Sequence, residues 1–186
     1  LMASALEWTI IRPTAYFKSL SGQVERLRAG KPFLMFGDGR LTATKPISDG
    51  DLARYIAARL EDGVAAGRIL PIGGPGPAIT PREQGELLFA ALGLRPRFAS
   101  VPPALFAGAA RLLSAAGTFA PPLKAKAEFA RIGHYYATES MLVWDEARGR
   151  YDADATPETG EETLADSYER LARGEAKADL GAHRAF

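Results

Sequence analysis

A chain of 186 residues can bury about 70% of the surface its unfolded form exposes, which fits one domain or part of one. Its 47% hydrophobic and 24% charged residues describe a compact, mixed α/β protein, and the lack of cysteine excludes disulfides, thiolate chemistry and cysteine-ligated metal sites. A net charge of +1 without a dense Lys/Arg block leaves no cationic footprint for nucleic acid.

The opening Leu1-Met2-Ala3-Ser4-Ala5-Leu6 reads as the end of a helix running into a strand, so the start resembles a cut and the chain is expected to be the C-terminal part of something longer. No basic, apolar and small-residue signature of a secretory signal stands there, which makes cytoplasmic residence the expectation.

Trp8-Thr9-Ile10-Ile11 is β-branched and aromatic, suits an interior parallel strand, and should end at Pro13. Leu20, Val24 and Leu27 recur at helical spacing before the stop signal Gly30-Lys31-Pro32. Residues 33–36 predict a brief strand, and Gly37-Asp38-Gly39-Arg40 a tight turn followed by a bulge or hairpin. Asp49 is expected to cap a helix burying Leu52, Ile56 and Leu60, with Gly63 and Gly67 as punctuation.

Residues 68–72 are strand-like, although Pro71 argues for an edge or a strand end. After the Gly73-Gly74-Pro75-Gly76 turn, Thr80, Pro81 and Glu83 form a capping box for a helix carrying Leu87, Leu88 and Ala91 and closed by Gly93. Residues 98–101 return as a strand. Pro102-Pro103 then opens a helix bearing Leu105, Phe106, Ala109, Leu112, Leu113 and Ala116, with Arg111 as the single charge between positions 101 and 123. It is too short and proline-bounded to span a membrane. A buried helix, a pocket lid or partner surface, and a membrane-surface contact stay open for it.

A short helical stretch should end near Ile132-Gly133, before the cluster His134-Tyr135-Tyr136. Leu142-Val143-Trp144 is an apolar patch. Thr159-Gly160-Glu161-Glu162 reads as a second capping box, leading into a helix with Leu164, Tyr168 and Leu171 on one face, and from about Gly174 the chain should be loose. Strands alternating with helices predict an α/β unit with a mainly parallel sheet and a smaller, irregular helical portion.

In an open α/β sheet, ligands sit beyond the carboxyl ends of the strands, which is where Arg12-Pro13-Thr14-Ala15-Tyr16-Phe17-Lys18 would fall. Thr14 could donate to a carboxamide or phosphate, Tyr16 and Phe17 could cover a flat ring, and Lys18 could meet a carboxylate; packing plus a solvated lysine is the plainer reading. Lys45 is either a surface residue or a cation at a pocket mouth. His134, Tyr135 and Tyr136 suit acid/base work, planar-ligand packing or simple aromatic packing. Pro75 and Pro77 spoil the glycine turn as a phosphate cradle, so a structural turn is expected there. There is no G-x-S-x-G elbow, and the separated His134 and His183 offer no metal-binding spacing.

Residues 8–18, Met35-Phe36-Gly37-Asp38-Gly39, Lys45-Pro46-Ile47-Ser48 with Asp51-Leu52-Ala53, and Leu70-Pro71-Ile72-Gly73-Gly74-Pro75-Gly76 resemble the divinyl chlorophyllide 8-vinyl reductase family. So do Thr80-Pro81 with Glu83-Gln84-Gly85-Glu86, and Tyr135-Tyr136-Ala137 with Glu139-Ser140-Met141-Leu142. That family belongs to the atypical short-chain dehydrogenases related to the NmrA-like group, and the resemblance covers residues 1–173, leaving 174–186 as a loose tail. It implies the C-terminal part of an NAD(P)-binding, Rossmann-like fold with a smaller substrate-binding portion. It also implies NADPH-dependent reduction of the 8-vinyl group of a magnesium divinyl tetrapyrrole to ethyl, in chlorophyll or bacteriochlorophyll synthesis.

On this resemblance Arg12, Pro13, Thr14 and Ala15 lie beside the cofactor, and Tyr16, Phe17, Lys18, Phe36, Lys45, His134, Tyr135 and Tyr136 beside the substrate, whose magnesium implies no protein metal site. The family's glycine-rich fingerprint and catalytic Tyr or Lys would precede Leu1, and no Tyr-x-x-x-Lys occurs, so no catalytic residue is carried over and this piece alone is expected to be inactive. A catalytically silent NADPH-binding assembly subunit and an NmrA-like redox sensor are the alternatives.

Overall fold

The computed structural model describes residues 1–60, 65–116 and 121–176. Among the described residues, three parallel strand pairs and one antiparallel hairpin are wrapped by helices. β1 (Thr9–Pro13) runs parallel to β5 (Arg68–Ile72), with Ile11 opposite Leu70 and Pro13 opposite Ile72. Among the described residues β5 has β1 as its one strand partner, so the amide that Pro71 lacks is not needed on the other edge. The interior setting expected for β1 is not met: it too has one strand partner among the described residues, and none of its five residues is buried.

β2 (Ala15–Tyr16) pairs with β4 (Pro46–Ile47), also in parallel. The helix expected around Leu20, Val24 and Leu27 is divided into α1 (Phe17–Leu20), a 3-10 turn (Ser21–Gln23) and α2 (Val24–Arg28). At the break, the Ser21 hydroxyl donates to the Phe17 carbonyl at 2.9 Å, the local side-chain bond that lets serine compete with regular helix. Val24 and Leu27 are nonetheless buried, as their spacing predicts.

β3 (Phe33–Phe36) pairs in parallel with β6 (Phe98–Val101), not with its neighbour in sequence. The turn at Gly37 and Gly39 forms, with φ of +56° and +77°, but the expected bulge or hairpin does not. The Arg82 amide donates to the Gly39 carbonyl at 3.0 Å, tying the turn to the helix that precedes β6.

α3 (Asp49–Leu60) starts one residue earlier than a cap at Asp49 would require, because the Ser48 hydroxyl accepts from the Asp51 amide at 3.0 Å and Asp49 lies inside the helix. Leu52 is buried, whereas Ile56 and Leu60 are 41% and 84% exposed, so the expected stripe holds only in the first turn. Gly63 lies outside the described residues.

α4 (Pro81–Ala91) follows its sequence closely: Thr80 accepts from the Glu83 amide, Glu83 accepts from the Thr80 amide, and Pro81 fills the first helical position. Gly85 lets the helix approach the rings of Phe33 and Phe98; a Cβ there would lie 2.6 Å from the Phe98 ring.

α5 (Ala104–Ala116) packs along α6 (Pro121–Thr138). Ala110 is buried in this contact, but Leu105 and Leu112 are 61% and 74% exposed, so among the described residues α5 is covered on the face toward α6, and of the three readings left open for it the fully buried helix is not met. The side chain of Phe106 lies outside the described residues. α6 does not stop at Gly133 either; it runs through the His134-Tyr135-Tyr136 cluster to Thr138. Gly133 is buried, and the surrounding alanines supply enough helix propensity to carry the glycine.

β7 (Val143–Asp145) and β8 (Arg150–Asp152) form an antiparallel hairpin not expected from the sequence, with Trp144 edge-on to Tyr151 at 5.0 Å. α7 (Leu164–Ala172) begins at a capping box of Thr163 and Asp166, not at Thr159. Thr159 is held elsewhere, its amide donating to the Gly73 carbonyl at 3.0 Å. The expected loose tail falls mostly outside the described residues, although Ala176 still packs on the core.

The larger core cluster gathers Phe17, Val24, Leu27, Phe33, Met35, Leu88, Phe89, Leu164, Tyr168 and Leu171. Ile47, Leu52 and Ile72 form a smaller one beneath β1 and β5.

Candidate functional site

The carboxyl ends of β1 and β5 meet in a closely bonded junction. The Thr14 amide donates to the Ile72 carbonyl at 3.0 Å, and the buried Thr14 hydroxyl donates to the Lys45 carbonyl. The Gly74 amide reaches the same Lys45 carbonyl at 3.1 Å, and the Gly73 amide donates to the Pro157 carbonyl at 2.8 Å. Both glycines are required by close approach: a Cβ on Gly73 would stand 2.4 Å from the Lys45 Cβ, and one on Gly74 would stand 1.9 Å from the Pro46 carbonyl oxygen. The Gly73-Gly74 turn is therefore structural, as expected.

Lys45 is neither a surface residue nor a cation at a pocket mouth. Its side chain is 9% exposed, and its Nζ donates to Glu158 Oε2 at 2.8 Å and to the Thr156 carbonyl at 3.4 Å. The ammonium charge is thereby committed to fastening the 156–158 segment to the junction. The Thr14 hydroxyl is likewise spent on protein, so Thr14 positions the segment and does not donate to a ligand.

Arg12, Tyr16 and Lys18 face outward from this junction, Tyr16 being 40% exposed. Phe17 is 5% exposed and belongs to the larger core cluster, yet its edge also lines, beside Lys18, the cleft described next. Lys18 lines an open cleft of about 330 Å³ with Ser48, Asp49, Glu162 and Arg170; Arg170 is ion-paired to Glu162. Behind this cleft, Asp51 has a fully buried carboxylate that accepts from the Glu162 amide at 3.2 Å and pairs with Arg54. Burial pushes its pKa up, but the bonds from Glu162, Ser48 and Arg54 outweigh that and hold it below the usual carboxylate value.

A second groove, of about 430 Å³, lies between α5 and α6 and is lined by Ala107, Ala110, Arg111, Ser114, Arg131 and His134. His134 faces it, while Tyr135 and Tyr136 are 50% and 55% exposed outside it, their rings edge to face at 5.9 Å. The three neighbours in sequence are therefore not gathered in this groove: His134 turns into it while the two tyrosines pack on each other outside it. Neither cavity contains Tyr16, Phe36 or Lys45. Arg111 and Arg131 were not singled out as site residues from the sequence; the signal was the isolation of Arg111 in an uncharged stretch.

Tyr151 donates to Glu139 Oε2 at 2.7 Å, and this bond, with burial, pushes the phenol up to about 12. It holds its proton through the neutral range and ties the hairpin to the end of α6. Among the described residues there is no group of three or more His, Asp or Glu side chains placed to hold a metal ion, and no helix long and apolar enough to cross a membrane.

No protein-family model matches the chain. Curated relatives do. Identity is 50% over 180 residues to the chloroplastic divinyl chlorophyllide a 8-vinyl-reductase of Oryza sativa subsp. indica, 48% over 184 residues to that of Cucumis sativus, and 46% over 179 residues to that of Arabidopsis thaliana. These matches cover 96%, 98% and 96% of this chain but only 44%, 44% and 43% of the relatives. The chain thus spans less than half the length of the relatives it matches, and the family resemblance carried by the motifs is borne out.

Among solved structures, a nucleoside-diphosphate-sugar epimerase from Staphylococcus aureus aligns with TM-score 0.53 and 18% identity, covering 89% of this chain and 53% of that one. The UDP-glucuronic acid 4-epimerase from Bacillus cereus, solved with UDP-glucuronic acid and NAD, aligns with TM-score 0.53 and 15% identity, covering 92% of this chain and 44% of that one. These likenesses establish the fold class as part of a Rossmann-like α/β architecture.

Proposed function

We propose that this chain, a relative of the divinyl chlorophyllide a 8-vinyl-reductases along nearly its whole length, is part of an enzyme that reduces the 8-vinyl group of a divinyl chlorophyllide, or of a related magnesium divinyl tetrapyrrole, to ethyl with NADPH. The observation that carries the reading is 46–50% identity to four such reductases over 96–98% of the chain. The junction described above supports it, since it delivers an outward-facing segment to the carboxyl end of a parallel strand pair, where open α/β sheets bind ligands.

Saturating a vinyl group adds a hydride to one carbon and a proton to the other, and a bound reduced nicotinamide supplies the hydride. The residues of this chain that would hold it are Arg12, through its exposed guanidinium, and the 13–15 backbone, kept in place by the Thr14 hydroxyl on Lys45. Tyr16 offers the adjoining aromatic surface to a flat macrocycle, and Lys18 stands close by in sequence as a cation for an acidic pigment. Phe36, which no described cavity shares with these residues, keeps only a packing role in this reading.

The test is anaerobic incubation of the full-length polypeptide containing this chain with divinyl chlorophyllide and either NADPH or NADH, followed by the pigment's Soret band. A shift to the monovinyl spectrum that is faster with NADPH is expected. Retention of nucleotide with an unchanged pigment spectrum would refute the reductase reading.

A further inference from the structure

We propose that the groove between α5 and α6 is a carboxylate subsite, with Arg111 as the receiving cation. The proposal rests on the tetrapyrrole-reductase reading: a chlorophyllide presents an apolar macrocycle with one free carboxylate on a short methylene stem.

Arg111 is exposed, lines the groove, and has no hydrogen-bond or ion-pair partner among the described residues. It is the lone charge between positions 101 and 123, on a helix whose other lining residues are Ala107, Ala110 and Ser114. Across the groove Arg131 is fixed differently: it pairs with Glu128 and donates to Ser114 Oγ at 2.8 Å, which neutralises much of its charge while bracing the two helices. One uncommitted guanidinium over an alanine floor, with His134 opposite, fits a monoanion on an apolar stem. A guanidinium presents paired N–H donors in the plane a carboxylate needs.

A nucleotide phosphate fits less well. Phosphates are cradled by backbone amides at glycine turns or helix starts, and this groove is walled by the middles of two helices whose amides are bonded within the helix. The volume of about 430 Å³ and the open shape suit a side arm and one edge of a pigment, not an enclosed cofactor.

The experiment compares binding of chlorophyllide and of its neutral methyl ester to the full-length polypeptide containing this chain, followed by quenching of tryptophan fluorescence, with and without NADP+. The acid should bind about tenfold more tightly than the ester, the scale of one charge-assisted hydrogen bond. Arg111→Ala should remove that preference without changing ester affinity, and Arg111→Lys should restore part of it. Since Arg111 is exposed and has no hydrogen-bond or ion-pair partner among the described residues, circular dichroism of both variants should match the parent. Equal affinity for acid and ester, loss of preference by competition from NADP+, or no binding of either pigment would each overturn the subsite. Vinyl reduction by the full-length polypeptide, measured alongside, separates that failure from failure of the reductase reading.

Discussion

At Gly74 the objection to any side chain comes from backbone. A Cβ there would press on the Pro46 carbonyl oxygen and on the Ile47 Cα, and neither can swing away as a flexible side chain could. Gly74→Ala must therefore part β4 from the end of β5, and a loss of about 3 kcal/mol or more is expected in urea denaturation. Gly76, at φ +93° with nothing within 4 Å of a Cβ, is the control: Gly76→Ala should cost only the left-handed penalty of about 1–2 kcal/mol. Equal losses at the two positions would mean that the junction yields. Asp51 sets a second residue-scale test, one of pH. Its folded pKa lies below the unfolded value near 3.8, so it contributes stability above that value and loses it as pH falls through the folded value. Arg54 reaches it from solvent with a side chain 74% exposed, so the ion pair is screened and the Glu162 amide and Ser48 bonds dominate. Asp51→Asn should lower stability by about 1 kcal/mol at neutral pH and narrow its gap to the parent below pH 4, read from urea midpoints across the acid range.

Among the elements, those whose boundaries are written in adjacent residues could be read from sequence. α4 is the clear case, because Thr80, Pro81 and Glu83 satisfy the open amides of the first turn with nothing from elsewhere in the chain. β1, β3, β5 and β6 were likewise legible as apolar runs ended by Pro or Gly. The start of α7 was misplaced because Thr159-Gly160-Glu161-Glu162 has the composition of a cap while its groups serve distant partners: Thr159 bonds to Gly73, Glu162 pairs with Arg170, and Gly160 sits at φ +92° against Asp51. Lys45 was misread for the same reason, since Glu158 lies far along the chain and no local pattern announces it. The outward-facing Arg12, near the carboxyl end of β1, and Tyr16, in β2, are legible from their place at the end of an apolar run; the α5–α6 groove is not, because two helices build it together. The cap assignment has a direct check. Thr163→Ala should lower the melting temperature by the few degrees that about 1 kcal/mol represents in a chain of this size, and Thr159→Ala should leave it nearly unchanged. The reverse order would place the cap where the sequence pattern alone puts it.

Across the whole molecule, the parallel pairs do not rest on equal foundations. β3 and β6 are backed by the larger core, where Phe98 meets Phe33 and Phe89 edge to face at 6.0 and 5.7 Å, and where the buried Tyr168 hydroxyl donates to the Leu20 carbonyl at 2.9 Å. Among the described residues β1 and β5 stand over the three buried residues Ile47, Leu52 and Ile72, with only the partly buried Ile11 and Tyr55 packed on them, Ile69 on β5 42% exposed and no buried residue on β1. Parallel strands gain little from their own ladder and depend on cover from both faces. The free energy of opening an amide rises with the apolar surface that the opening uncovers, so the two pairs should exchange hydrogen at different rates. In native-state exchange followed by mass spectrometry, peptides containing β1 and β5 should exchange at least about tenfold faster than those containing β3 and β6, a difference of about 1.4 kcal/mol in opening free energy. The segment that carries Arg12 and Tyr16 would then be the more easily opened part of this chain, held chiefly by Thr14, Lys45 and Glu158. Lys45→Met, which keeps most of the stem and removes the bond to Glu158, should widen the gap further. Uniform protection across both pairs would instead show that the junction couples the two clusters into one cooperative unit.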